Sequence, residues 1–282
     1  MSTPLTPAPS STSSTTATSD SLVLVAALGP STNRSRVGAQ LLRHFAGWDC
    51  IAVSFDANSA THADYLASRC ALRVHAALKW ASLVNATRAE IARADYARVM
   101  LLLDDVVFAR DFNVSRLVAL GARHGLGVVS PRIDHATVPV MRYHRRAGAD
   151  EVVRMSALET YATLFATRAA WNCFASLLDD AALHDAANAV GWGYDRCYGP
   201  VCDAATGGQA LVPGEAAAHC GQRGGLVHRY HLGALANAQK DRLSAWVRKR
   251  TGRPCATYNI LSRAGARWSA ENRTAHIVPC HI

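Results

Sequence analysis

The stretch Arg98-Val99-Met100-Leu101-Leu102-Leu103-Asp104-Asp105 decides how this chain is read. Its apolar run is short for a buried helix, and without polar alternation it describes a strand covered on both faces, the kind found in parallel sheets. Two carboxylates then close it. Toward the N-terminus, Leu22 to Leu28 is a second apolar run, ended by Gly29 and Pro30, and Ile51 to Phe55 is a third. Ser35 to Ala46 carries Val37, Leu41, Leu42 and Phe45 at helical spacing, and Arg73 to Ala94 carries Val74, Leu78, Ser82, Leu83 and Ile91 on another helical stripe. Toward the C-terminus, Leu117 to Ala122 predicts a helix and Leu126 to Val129 a strand stopped by Pro131. Strands alternating with helices at this pitch predict an α/β architecture: a Rossmann-like, mixed but mostly parallel sheet with helices on both faces.

Beyond Pro131 the pattern loosens. Val138 to Tyr143 and Glu151 to Met155 read as a hairpin around a polar turn, and Thr167 as the N-cap of a helix carrying Ala170, Phe174, Leu177 and Leu178. A Gly-rich stretch, Gly191 to Gly199, leads into a loop, then a strand near Leu226 to His231 and a helix from Ala234 to Arg250 with Leu235, Leu243, Trp246 and Val247 inward. Residues 1–20 hold twelve Ser or Thr and three prolines, too little apolar surface to offset the entropy of ordering, so they are expected to form a disordered tail. Residues 21–282 are expected to be one domain, regularly alternating over 21–134 and looser over 135–282.

Composition narrows the class. The 282 residues are 50% hydrophobic and 18% charged, which excludes disorder, collagen and coiled coil and fits a globular domain. No run is long enough to cross a bilayer, and no signal peptide is visible. The net charge of +9 comes almost wholly from Arg and suits anionic partners such as nucleotide diphosphates or acidic glycans. Nucleic-acid binding through Arg242, Arg248, Lys249, Arg250 and Arg253 rests on charge alone, and these residues read as the solvated end of the last helix. The eight cysteines form no CxxC pair; Cys197, Cys202, His219 and Cys220 lack the paired spacing of a zinc site, leaving disulfides or buried thiols. Asn33, Asn85, Asn113 and Asn272 are N-x-S/T sequons where composition predicts roughly one. That excess predicts passage through the secretory pathway, where disulfides persist. With no leader in view, a lost upstream membrane anchor is expected to reconcile the two.

In open parallel sheets ligands bind beyond the carboxyl ends of strands, so Asp104 and Asp105 lead the candidates. Adjacent carboxylates there could hold a divalent cation that neutralises a diphosphate leaving group. In Gly191-Trp192-Gly193-Tyr194-Asp195, the glycines allow close backbone approach, Trp192 offers a face for sugar stacking, and Asp195 is placed to accept a proton from a hydroxyl. His231 lies at an expected strand end before a helix.

These segments resemble a family. The Arg98 to Asp105 run, Gly127 to Asp134, Glu159 with Leu164-Phe165 and Ala170-Trp171, Gly191 to Asp195, and His231-Leu232-Gly233 stand in the order seen in the domain of unknown function 707 family. Leu24 to Gly29 and Lys79-Trp80 match it earlier, so the resemblance spans about Leu22 to Leu235. It implies a GT-A-like glycosyltransferase fold, with 21–134 as its nucleotide-binding half and 135–282 as its acceptor-side half, in a protein of the Golgi or secretory lumen. It also implies a metal site of Asp104, Asp105 and His231 binding Mn or Mg, and Asp195 as the catalytic group. Lys79, Trp80, Glu159, Trp192 and Gly193 would line the substrate site. The family usually has Asp-Glu-Asp after an aromatic residue; here Val106 stands where the third acid is expected. Either Asp105 substitutes, or the site binds metal weakly. Two functions therefore compete: transfer of a sugar from a nucleotide-sugar donor to a glycan or other acceptor, and non-catalytic carbohydrate or nucleotide binding by a degenerate relative.

Overall fold

The computed structural model describes residues 19–28, 32–54, 70–74, 87, 90–92, 94–134, 150–179, 193–220, 233–264 and 280. The decisive run is β4 (Arg98–Leu103). It lies beside β1 (Ser21–Leu28), which lies beside β2 (Asp49–Ser54), and β3 (Ala71–Val74) closes that edge. All four are parallel, with Leu24 paired both to Ile51 and to Leu101. Leu22, Val23, Leu24 and Val25 are all fully buried, and successive strand residues point to opposite faces, so the sheet is covered on both sides. Each such side chain contributes about 1.5–3 kcal/mol by leaving water, which explains the unbroken apolar runs.

On the other flank of β4 the sheet becomes mixed. β8 (Ala162–Phe165) runs antiparallel to β4 and to β6 (Val128–Asp134). β6 is parallel to β9 (Gln209–His219), which is antiparallel to β5 (Val106–Phe108) and β7 (Val152–Met155); β10 (Ile260–Ala264) is antiparallel to β7. The ten strands form one sheet, and its main path runs β10-β7-β9-β6-β8-β4-β1-β2-β3. Three strands, β5, β7 and β8, oppose the common direction, so the expected mostly parallel Rossmann-like sheet is the observed one.

Helices α1 (Arg34–His44), α2 (Val114–Arg123), α3 (Arg168–Asp179), α4 (Tyr194–Thr206) and α5 (Gly233–Thr251) complete the described elements. Asn33 and Asn113 cap α1 and α2 by accepting from backbone N–H groups, as their short amides favour. The Thr167 hydroxyl accepts from Ala170 N at the start of α3, the expected cap.

Several expectations need correction. Pro131 does not stop β6, which continues to Asp134; its missing N–H is tolerated because the pairing with β9 shifts register between Pro131 and Arg132. Arg73 and Val74 belong to a strand, not to the start of a helix. Within the expected Gly-rich stretch and loop, Tyr194–Thr206 form α4 and Gln209–His219 form β9: Gly193 caps α4 with φ +99°, a left-handed conformation open to glycine. Val138 to Tyr143, the Leu226 to His231 strand and the N-terminal tail lie outside the described residues, tail residues 19 and 20 excepted. All eight cysteines are paired, as Cys50–Cys70, Cys173–Cys202, Cys197–Cys255 and Cys220–Cys280, which removes both the zinc and the free-thiol alternatives. Among the described residues no helix is long and apolar enough to cross a membrane.

Candidate functional site

β1 leads into α1 on one side of the parallel half, while its other neighbour, β4, leads toward the mixed half, so the carboxyl ends of β1 and β4 flank the point where strand order reverses. Crevices that bind ligands open at such points. Thr32 follows β1 there, and its hydroxyl donates to Asp104 at the end of β4. Burial pushes the Asp104 carboxyl up to about 6, against the Thr32 hydrogen bond and with help from the negative charge of Asp105.

Asp104 and Asp105 form the turn between β4 and β5. β5 is short and needs partners on both edges. One edge pairs with the end of β9, with Val106 opposite His219. At the other, the Gln40 side chain acts as a fragment of strand: its Nε2 donates to Val106 O at 3.1 Å, and Phe108 N donates to its Oε1 at 2.6 Å. The Cys220 amide adds a bond to Asp105 O at 2.8 Å. The acid turn is thus held from α1, β1 and β9 together.

β9 also supplies His219, whose Nε2 lies 3.0 Å from Asp105 Oδ2. Burial lowers the His219 pKa, but the hydrogen bond and charge of Asp105, with the charges of Glu159 and Asp104, outweigh it and leave the imidazole above its ordinary value. Its ring stacks on Tyr161 at 4.1 Å between centroids and 17° between planes. Tyr161 is anchored by Leu103 N donating to its carbonyl, and its hydroxyl donates to Glu159 Oε1 at 3.1 Å. A connected path therefore runs from the acid pair through His219 and Tyr161 to Glu159. Beside it, at the end of β6, Arg132 Nε and Asp134 Oδ1 form a buried ion pair at 3.2 Å.

Asp195 opens α4 at some remove. Its Oδ1 accepts from Arg196 N at 2.9 Å and its Oδ2 from the Tyr258 hydroxyl. Burial raises its pKa, partly offset by these bonds, and burial with the charge of Asp195 raises that of Tyr258. The strap carrying Tyr258 is fixed by the Cys197–Cys255 disulfide and by Arg196, whose Nε donates to Ala256 O at 2.8 Å. Glu159 acts on both groups: its charge raises His219 on one side and Tyr258 on the other.

The structure therefore gathers Asp104, Asp105 and Glu159 from the expected residues and sets Asp195 and Gly193 beyond Glu159. Lys79, Trp80, Trp192 and His231 lie outside the described residues. Thr32, Gln40, Tyr161, His219 and Tyr258 carried no periodicity or motif that marked them; His219 entered the sequence reading only as a rejected zinc ligand. Asp105 Oδ1 is buried without a hydrogen-bond partner, an arrangement suited to a hard cation with oxygen ligands. Val106, at the position of the missing third acid, is buried in the core, and among the described residues no group of three or more His, Cys, Asp or Glu is arranged to hold a metal. Two carboxylates fit a cation that draws its remaining ligands from phosphate oxygens and water.

No family model matches the chain, and comparison with curated proteins gives no match. Among solved structures, the chain is similar to a protein provisionally named a nucleotide-diphospho-sugar transferase from Desulfovibrio desulfuricans G20, at 16% identity and TM-score 0.27, over 41% of this chain and 59% of that one. It is also similar to A197 from STIV, at 13% identity and TM-score 0.38, over 70% and 83% of the two chains. Mannose-1-phosphate geranyltransferase from Thermus thermophilus gives 14% identity and TM-score 0.41, over 71% and 76%. This chain spans about three fifths of the Desulfovibrio protein. Likenesses this distant carry no argument about activity.

Proposed function

We propose that this chain is a glycosyltransferase of GT-A-like fold that moves a sugar from a nucleotide-sugar donor to a glycan or other hydroxyl-bearing acceptor. The observation that carries the reading is the acid turn Asp104-Asp105, set at the switch point between β1 and β4 and bound by Thr32 and His219. Asp104 and Asp105 would hold a Mn or Mg ion, which when bound neutralises the departing diphosphate. Glu159 is linked to this turn through the Tyr161 and His219 contacts, so it is assigned to take the proton of the attacking hydroxyl, a role the sequence reading gave to Asp195. Asp195 and Tyr258 then brace the acceptor side behind it. The same reading carries membership of the domain of unknown function 707 family and residence in the Golgi lumen, supported by the motif order and by four disulfides.

A thermal-shift titration of the full chain with nucleoside diphosphates and nucleotide sugars, with and without manganese, tests it. A manganese-dependent rise with one nucleotide, lost in the Asp104→Ala/Asp105→Ala variant, is the expected result. The buried Val106 favours a second reading, a binding protein that has lost its cation, and a folded sample that responds to no donor would move the assignment there. Once a donor is known, Glu159→Gln should lower turnover by about 10²–10⁴ with nucleotide affinity kept, the size expected for a general base. Equal turnover in Glu159→Gln and wild type, with loss in Asp195→Asn, would return the role to Asp195.

A further inference from the structure

Helix α2 is capped by Asn113, which is exposed and first in the sequon Asn113-Val114-Ser115. Its backbone N–H donates to Glu215 at 2.7 Å, and its side-chain oxygen accepts from Ser115 N at 3.0 Å and Arg116 N at 3.3 Å. The side-chain nitrogen takes no part in these bonds. An amide used in this way divides its work: oxygen caps the helix and nitrogen remains available at the surface. Replacing one of its hydrogens leaves the cap intact.

We propose that Asn113 is an acceptor site for an N-linked oligosaccharide. In the step, Asn113 Nδ2 gives up a proton and bonds to the anomeric carbon of an oligosaccharide carried on a lipid diphosphate. The bond from that carbon to the diphosphate oxygen breaks, the lipid diphosphate leaves with its electron pair, and the released proton passes to water. Three observations support the site independently of any catalytic reading: the exposed Ser115 hydroxyl residue two positions on, four sequons where composition predicts roughly one, and complete pairing of all eight cysteines, which suits the oxidising compartment where such transfer occurs. Asn33 caps α1 in a similar way, but its neighbour Thr32 touches Asp104, so an oligosaccharide there would crowd the acid turn. Asn113 has no such neighbour, and the proposal is confined to it.

The test is to recover the full chain from its own cells, remove N-glycans with a peptide N-glycosidase in water enriched in oxygen-18, and read the peptide spanning residue 113 by mass spectrometry. An aspartate carrying the heavy oxygen at position 113 is the expected result. In parallel, Ser115→Ala, expressed behind a secretory leader, should lose the modification with an unchanged melting temperature, because the Asn113 cap survives. Asn113→Ala should lose both and melt about 2–4 °C lower. A disulfide-bonded chain with an unmodified Asn113 peptide would overturn the proposal, as would a Ser115→Ala chain that keeps the modification.

Discussion

Asp104 holds a carboxyl that is more costly to ionise in the folded chain than in the unfolded one. Its pKa of about 6 lies above the ordinary value, so it favours the fold below about pH 4 and progressively disfavours it as pH rises through 6. Asp104→Asn should therefore stabilise the ligand-free protein by about 1–3 kcal/mol at pH 7.5, measured by urea denaturation, while abolishing any manganese-dependent response to nucleotide. A destabilised Asp104→Asn variant would show that the Thr32 hydrogen bond matters more to the fold than burial of the charge. Such a trade of stability for function is what a buried binding carboxylate implies.

At the scale of elements, the acid turn depends on the support given to β5. Gln40 satisfies Val106 O and Phe108 N, and removing its amide leaves both backbone groups partnerless on that edge. Gln40→Ala should cost about 1–3 kcal/mol and weaken nucleotide binding, although Gln40 touches neither aspartate side chain. Unchanged nucleotide affinity would mean that β9 alone positions the turn. α4 is held differently, by Cys202 to Cys173 on α3 and by Cys197 to Cys255 on the strap. Cys173→Ser/Cys202→Ser opens a crosslink between residues 29 apart and should cost about 2–4 kcal/mol in denaturant. A smaller loss would show that packing of α3 on α4 already restrains the pair.

Across the whole molecule, burial sets the pH dependence. Asp104 and Asp203 stand at about 6 and Glu215 at about 7, all raised chiefly by burial, so these three groups bind more protons in the folded chain than in the unfolded one between about pH 4 and 7. Stability therefore falls as pH rises through that window. His219, raised by its acidic neighbours, has the same sign: its contribution is present below its ordinary value and lost as pH rises through its folded value. His44, lowered mainly by burial, opposes them, losing stability as pH falls below 6.5. Allowing for solvent near Asp104 and Asp203, the protein should be roughly 2–4 kcal/mol more stable at pH 5.5 than at pH 7.5. Calorimetry at the two pH values checks this, and an equal or higher melting temperature at pH 7.5 would refute it.

The apolar runs of β1, β2 and β4 were legible because burial on both faces leaves a local signature, and the acid pair was legible because it ends such a run. α5 and the Thr167 cap were readable for similar local reasons. β5, β8, β9 and β10 were not: short strands on the mixed side are defined by the partners they find, and Ala-rich β9 has no pattern of its own. The candidate site divides in the same way. By itself the sequence determined a parallel α/β half, with Asp104 and Asp105 at a strand end. Only the tertiary structure paired the eight cysteines, brought His219 to Asp105 and Tyr161, and turned Asp195 toward Tyr258. The bonds from His219 to Asp105 and from Tyr258 to Asp195 join residues 114 and 63 positions apart, and hydrogen bonds between distant polar side chains impose no periodicity on the chain that makes them.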